Sequence, residues 1–293
     1  MKILVTGAKG QLGFDVIKEL EKRQHIAIGV DIDDMDITDE ASVYSVISET
    51  MPDAVIHCAA WTAVDAAEDC PQKVRAVNSL GTRNIAKACR KQGCKMMYIS
   101  TDYVFDGQGK EPWEPDCKDY KPLNVYGQTK LEGETAVSNI LSQYFIVRIA
   151  WVFGVNGNNF VKTMLNAGKK FDTLRVVNDQ IGTPTYTNDL ARLLVDMIET
   201  DKYGYYHATN EGGYISWYEF ACEIFKKAYE QGHREYGPDR LNVNAVTTEE
   251  YGFSKAKRPF NSRLDKRKLV ENGFVPLPSW ENALERYLKE IDF

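Results

Sequence analysis

A phenol and an ammonium one helical turn apart can together hand a proton to a carbonyl oxygen. The phenol's ordinary pKa of ~10 is too high for easy exchange near neutrality, and a neighbouring cation lowers it by favouring the phenolate. Tyr126-Gly127-Gln128-Thr129-Lys130 carries the two groups four residues apart, on one face of a helix. The spacing alone is weak. With 16 Tyr in the chain, chance places roughly one Tyr-x-x-x-Lys in such a composition, and a second match occurs at Tyr251-Gly252-Phe253-Ser254-Lys255. Tyr126 follows an apolar run and Pro122, and opens a segment whose Val137, Ile140 and Leu141 suit a helix packed on a sheet. Tyr251 lies in a polar stretch with Gly252 directly after it, so Tyr126 is the expected proton donor and Lys130 its partner. Ser100-Thr101-Asp102-Tyr103-Val104-Phe105 ends the preceding apolar run, and a hydroxyl there could orient both a carbonyl and the phenol. Strand alternation sends Ser100 and Thr101 to opposite faces, so only one should serve, and Thr101 is the choice. The bland alternative is that both hydroxyls merely satisfy backbone groups.

Upstream, Thr6-Gly7-Ala8-Lys9-Gly10-Gln11-Leu12-Gly13 places three glycines between an apolar run and a helical pattern. Glycines let backbone approach a pyrophosphate, and the helix start offers free N–H groups and a positive dipole end. Gly7, Gly10, Gln11, Leu12 and Gly13 are therefore expected to hold a dinucleotide. Asp31 falls 18 residues after Gly13, near the spacing of an acid that binds ribose hydroxyls, which favours NADH. Lys9 could instead meet the 2′-phosphate of NADPH, so that cofactor stays open. Asp36-Ile37 is expected under the adenine. Ala59-Ala60-Trp61-Thr62 supplies small residues beside a flat ring at a strand end, with a plain tight turn as the alternative.

These residues need a scaffold that brings them to one edge. Over the first 150 residues, β-branched runs at 2–6, 25–31, 53–59, 95–101 and 144–151 alternate with helical patterns at 11–23 and 74–91. That order builds an α/β fold, a Rossmann-type doubly wound parallel sheet, followed by a smaller C-terminal substrate-binding lobe. The expected division is 1–150 with a returning segment at about 186–208, against 151–185 with 209–293. Runs at 174–178 and 204–208 read as returning strands, and 188–199, 217–231 and 280–291 as helices. The Gly/Asn-rich stretch 154–159 reads as a loop and the polar stretch 232–263 as irregular structure.

Composition excludes several roles. A net charge of −6 with scattered basic residues argues against nucleic acid. No apolar run approaches the ~20 residues a membrane span needs. The chain enters a strand at once with no secretory h-region, so a cytoplasmic location is expected. The six cysteines contain no C-x-x-C and the four histidines no ligand spacing, so no metal is expected. Monomer and homodimer remain equally open.

The glycine-rich turn, Ser100 to Gly107 and the run Asn124-Val125-Tyr126-Gly127-x-Thr129-Lys130-x-x-Gly133-Glu134 together resemble the extended short-chain dehydrogenase/reductases. Cys58 to Asp65 with Ala67-Glu68, Arg148-x-x-Trp151-Val152-Phe153-Gly154, Asp179-Gln180-x-Gly182-x-Pro184-Thr185 and Arg258-Pro259 extend the resemblance over nearly the whole chain. Within that superfamily it is to reductases of dTDP-linked 4-keto-6-deoxy sugars. The resemblance implies NAD(P)H-dependent reduction of the C4 keto group of dTDP-4-dehydro-6-deoxy-L-mannose. It also implies a catalytic set of Thr101, Tyr126 and Lys130. Gly10-Gln11-Leu12, Asp36-Ile37, Ala60-Trp61-Thr62, Tyr126 and Lys130 would hold the cofactor, and Thr101, Asp102, Tyr126 and Trp151 the nucleotide-sugar. Two departures stand out: His57 replaces a frequent Asn, and Asp15 stands where some members carry a metal-binding Glu used in dimerisation. Another nucleotide-sugar reductase or epimerase, or a non-catalytic dinucleotide-binding subunit, are the competing readings.

Overall fold

The computed structural model describes residues 1–293. Six strands form one sheet: β1 (Lys2–Thr6), β2 (Ile26–Val30), β3 (Ala54–His57), β4 (Lys95–Thr101), β5 (Tyr144–Ile149) and β6 (Gly204–His207). Their order is β6-β5-β4-β3-β1-β2 and every pairing is parallel. Parallel strands covered on both faces read as unbroken apolar runs, and every residue of β3 is buried. β2 is the exposed edge, with a less buried pattern. The strand order reverses between β1 and β3, which opens a crevice at their carboxyl ends, where ligands bind in this architecture.

One apolar layer lies between the sheet and two helices, α1 (Gln11–Lys22) and Thr187–Ile198. It buries Val16 and Leu20 against Ile3, Ile56, Val147 and Leu194. On the other face Val43, Ile47, Ile85, Cys89 and Val137 cover Leu4, Val55, Met96 and Tyr98. A separate cluster builds the second lobe: helices Phe160–Lys170, Trp217–Glu230 and Trp280–Glu290 meet around Phe153, Tyr186, Phe220 and Tyr287. No helix is long and apolar enough to cross a membrane.

Four elements differ from expectation. The helix expected at 74–91 is divided into Pro71–Arg75, a π-helical turn over Ala76–Gly81, and Thr82–Gln92. Asn78 explains the widened turn. It accepts the Trp61 N–H at 2.8 Å and donates to the Trp61 carbonyl at 3.2 Å and to Thr129 Oγ1 at 3.2 Å, while Thr82 Oγ1 donates to its carbonyl at 2.7 Å. The stretch read as irregular contains a strand, Asn242–Val246, parallel to Thr173–Val177. Its polar Asn-Val-Asn-Ala-Val sequence hides it, because only Val246 is fully buried. Helices Glu40–Thr50 and Phe160–Lys170 lie outside the expected set; each buries only two or three side chains.

Candidate active site

A cavity of about 890 Å³ runs along the carboxyl edge of the sheet, from the glycine-rich turn to the second lobe. At its start Gly7 has φ +66°, and a Cβ on Gly13 would sit 2.1 Å from the Gly7 carbonyl oxygen, so the strand and α1 can join only through glycine. Gly10 caps α1 with no side-chain hydrogen bond. The first N–H groups and the positive end of the helix are therefore left for an anion. A loop of the second lobe lies on this turn: Asn156 Nδ2 donates to the Lys9 carbonyl at 2.6 Å and Asn159 Nδ2 to Gln11 Oε1 at 3.1 Å. These features fit a dinucleotide pyrophosphate.

Beyond β2, the Asp31 carboxylate accepts the Lys9 and Ile32 N–H groups at 3.1 and 3.0 Å. The Lys9 ammonium instead pairs with Asp33 at 3.0 Å, both groups largely exposed. Ile32, Met35 and Ile37 border the same end of the cavity, a slot suited to a flat ring. Ile32 is 72 % exposed, an oddity for so apolar a side chain that a bound adenine would explain. Sequence reasoning missed it, since an isoleucine in an acidic loop carries no signal.

At the other end β4 delivers Thr101 and Asp102. Thr101 Oγ1 donates to Asp102 Oδ1 at 3.0 Å and accepts the Tyr103 N–H at 3.3 Å. Helix Val125–Ile140 brings Tyr126 to the same wall. Its start is fixed by Asn124, whose side chain accepts the Gly127 N–H at 2.8 Å and donates to the Lys257 carbonyl at 2.8 Å. Enclosure pushes the Tyr126 phenol well above the usual tyrosine range, partly offset by the neighbouring Thr101 hydroxyl. Tyr103 meets the Tyr126 ring edge-on at 5.5 Å. Arg258 holds Tyr103 in turn, 3.2 Å from its hydroxyl and 2.7 Å from Asp65.

Lys130 is buried and donates from Nζ to the Ile99 carbonyl at 2.7 Å, with the Tyr98 ring 4.1 Å away. Burial brings its pKa down to about 7, against the opposing pull of the Glu134 carboxylate. Lys130 and Tyr126 line the cavity from the same helix, and β4 holds the Lys130 amine. Glu134 itself makes a bidentate pair with Arg148 of β5, at 2.8 and 2.7 Å, both side chains fully buried. His57 bridges Thr6 Oγ1 at 2.7 Å and Thr82 Oγ1 at 3.0 Å; burial pushes it down to about 3, so it is a neutral structural link.

Two polar atoms at this end are orphaned: Asp102 Oδ2 and Ser100 Oγ are buried with no protein partner. Burial pushes the Asp102 carboxyl up to about 6. Buried polar atoms without partners mark either strain or a missing ligand. Ser100 and Thr101 both border the cavity despite strand alternation, because β4 ends here and passes straight into a 3₁₀ turn at Asp102–Val104. Trp151, with φ +51°, stacks on Trp217 at 3.7 Å, and both border the cavity.

Gly7, Gly10, Gln11, Leu12, Gly13, Asp31, Asp36, Ile37, Ala59, Ala60, Thr62, Thr101, Asp102, Tyr126, Lys130 and Trp151 all line this one cavity. Trp61 lies outside the cavity lining. Asn78 grips its peptide on both sides, and its indole turns back to donate to the Ala63 carbonyl at 3.3 Å. The second Tyr-x-x-x-Lys lies outside as well: Tyr251 is exposed at the end of the short helix Thr248–Tyr251, and Lys255 pairs with Asp69 on the surface.

Known proteins share this sequence pattern and fold. The family model described as RmlD substrate binding domain matches residues 1–293. The dTDP-4-dehydrorhamnose reductase of Aggregatibacter actinomycetemcomitans is 40% identical over 291 residues, spanning 97% of each chain. Among solved structures, the dTDP-4-dehydrorhamnose reductase of Bacillus anthracis in complex with NADP superposes with a TM-score of 0.92 at 42% identity, covering 99% of this chain and 100% of the other. The Clostridium acetobutylicum reductase of the same name gives 0.92 and 42%, covering 99% of both.

Proposed function

The chain belongs to the family described as RmlD substrate binding domain, and from that premise we propose that it reduces the C4 keto group of dTDP-4-dehydro-6-deoxy-L-mannose to give dTDP-L-rhamnose, with Tyr126 as proton donor. The observation that carries the reading is the single cavity that joins the Gly7–Gly13 turn to Thr101, Tyr126, Asp102 and Trp151. A reduced nicotinamide dinucleotide, when bound, supplies the hydride.

The remaining work falls to the chain. The first N–H groups of α1, at Gly10, Gln11 and Leu12, would hold the cofactor's phosphates. Ile37 and Ile32 would border the adenine. Thr101 Oγ1 and Tyr126 Oη converge on the carbonyl oxygen, and Tyr126 gives up its proton as charge develops there. Enclosure makes the phenolate costly, so a cation is needed beside it. Lys130 is poised for this: its pKa lies at about 7, and negative charge brought into the cavity favours its ammonium form. Asp102, with one oxygen unpartnered, is suited to accept a sugar hydroxyl. Asp31 favours NADH, while Lys9 offers a cation to the 2′-phosphate of NADPH; a relative is described in complex with NADP. Relative kcat/KM for the two cofactors decides between them.

The test is purified protein with NADH or NADPH and a panel of keto-sugar nucleotides, followed by loss of reduced nicotinamide. Turnover is expected with the dTDP-4-keto-6-deoxy sugar. No turnover with it, but turnover with another nucleotide-sugar, would overturn the assignment.

A further inference from the structure

Five tryptophans occur in the chain. Trp61, Trp113 and Trp280 each donate the indole N–H to a backbone carbonyl. The other two, Trp151 and Trp217, stack on each other at 3.7 Å and 13° at the substrate end of the cavity, without such a bond. We propose that Trp217 is a substrate-contact residue. With Trp151 it forms a wall whose open indole edges meet the sugar ring, its deoxygenated C6 turned to the carbon edges and its hydroxyls within reach of the indole N–H groups. The proposal rests on the reading of the substrate as a nucleotide-linked 6-deoxy sugar.

Position argues for the sugar rather than the base. Thr101 pairs in register with Ile149, and Trp151 follows two residues later. At ~3.3 Å per residue the indole pair begins within one sugar ring of the Thr101 hydroxyl. The nucleobase lies beyond the diphosphate and a ribose, out of reach of a wall so close to the reacting carbon.

Conformation argues that the wall is built for a ligand. Trp151 has φ +51°, a region that bulky residues rarely enter and that stores strain. It is held there from both sides. A Cβ on Gly182 would lie 2.9 Å from the indole, so glycine alone lets the ring settle on that strand, and Trp217 covers the other face. Trp217 is itself backed by Phe160 at 4.5 Å. It opens its helix directly after Ser216, whose side chain accepts the Glu219 N–H at 3.1 Å while Glu219 accepts the Ser216 N–H at 2.6 Å. A rigid aromatic surface with free N–H donors suits a ring that is apolar on one edge and hydroxylated on another.

The experiment compares binding of dTDP, dTDP-L-rhamnose and NADPH to wild type, Trp217→Leu and Trp217→Phe. Trp217→Leu should weaken dTDP-L-rhamnose about tenfold and leave dTDP and NADPH within about twofold, because only the sugar is touched. Trp217→Phe, which keeps a ring against Phe160 and Phe220, should show a smaller loss in the same ligand alone. Unchanged dTDP-L-rhamnose affinity in a folded Leu variant overturns the proposal, as does an equal loss for dTDP. If the Leu variant does not fold, the Phe variant is decisive, and unchanged sugar-nucleotide affinity there overturns it. If wild type binds no dTDP-sugar, the functional assignment fails instead. The same variants are then measured against the keto-sugar nucleotide that wild type does turn over, with the same outcomes decisive.

Discussion

Asp102 is a carboxyl that the fold holds at its own expense. One oxygen takes the Thr101 hydroxyl, the other has no partner, and burial lifts its pKa from the ordinary 3.8 to about 6. A raised carboxyl pKa means the folded state binds the proton more tightly than the unfolded one. The penalty is therefore absent below about pH 4, grows as pH rises between the two values, and is complete above 6. It amounts to about 3 kcal/mol at most. Asp102→Asn should accordingly melt higher than wild type at neutral pH, with the advantage fading as pH is lowered through 6 to 4. Melting curves across that range check it, and a constant difference would remove the linkage. Tyr126→Phe isolates the other role: it should keep cofactor affinity and lower kcat by about 10²- to 10⁴-fold, the range of a lost general acid. Steady-state kinetics beside a cofactor titration measure both, and near-normal turnover would exclude Tyr126 as donor.

The helix Val125–Ile140 carries Tyr126 and Lys130, so under the proposed mechanism its position decides whether Tyr126 meets Thr101. It is tied by the Asn124 cap at its start and by the buried Glu134–Arg148 pair further along. Asn124→Ala removes the cap and the bond to the Lys257 carbonyl. It should lower stability by about 1 kcal/mol in urea unfolding and reduce kcat more than it raises the cofactor KM. Elements of this kind were legible to different degrees. Strands β1 and β4 match their expected bounds because burial on both faces leaves an unbroken apolar run. Helix Glu40–Thr50 escaped because only Val43 and Ile47 are buried. The π-helical turn escaped because periodicity registers apolar positions, not the polar grip of Asn78 on Trp61. The same grip explains Trp61, where the small residues around it pointed to a ring but the side chain is turned away. Gly7, Tyr126 and Thr101 were legible through order along the chain. Trp217 was read only as a helix start, because its stacking partner belongs to another part of the sequence.

Across the whole molecule, the cavity has walls from both lobes, and the Asn156 and Asn159 side chains already bridge the second lobe to the glycine-rich turn. A dinucleotide seated there touches groups that exist together only when both lobes are folded. It should therefore stabilise the entire chain by mass action, by about 2.7 kcal/mol at a hundredfold excess over Kd. A thermal scan with and without NADPH should show one transition moving upward; movement of only part of a split transition would count against it. The separation of the three hydrophobic clusters has a further consequence. Aromatic residues around Phe153, Phe220 and Tyr287 form the core behind the Trp151–Trp217 wall, apart from the layers that cover the sheet. Changes at the Trp151–Trp217 wall can then accumulate without loosening the strand and helix that carry Thr101 and Tyr126. On the proposed reading, drift under selection can retune which sugar is accepted while the groups that move hydride and proton are inherited intact.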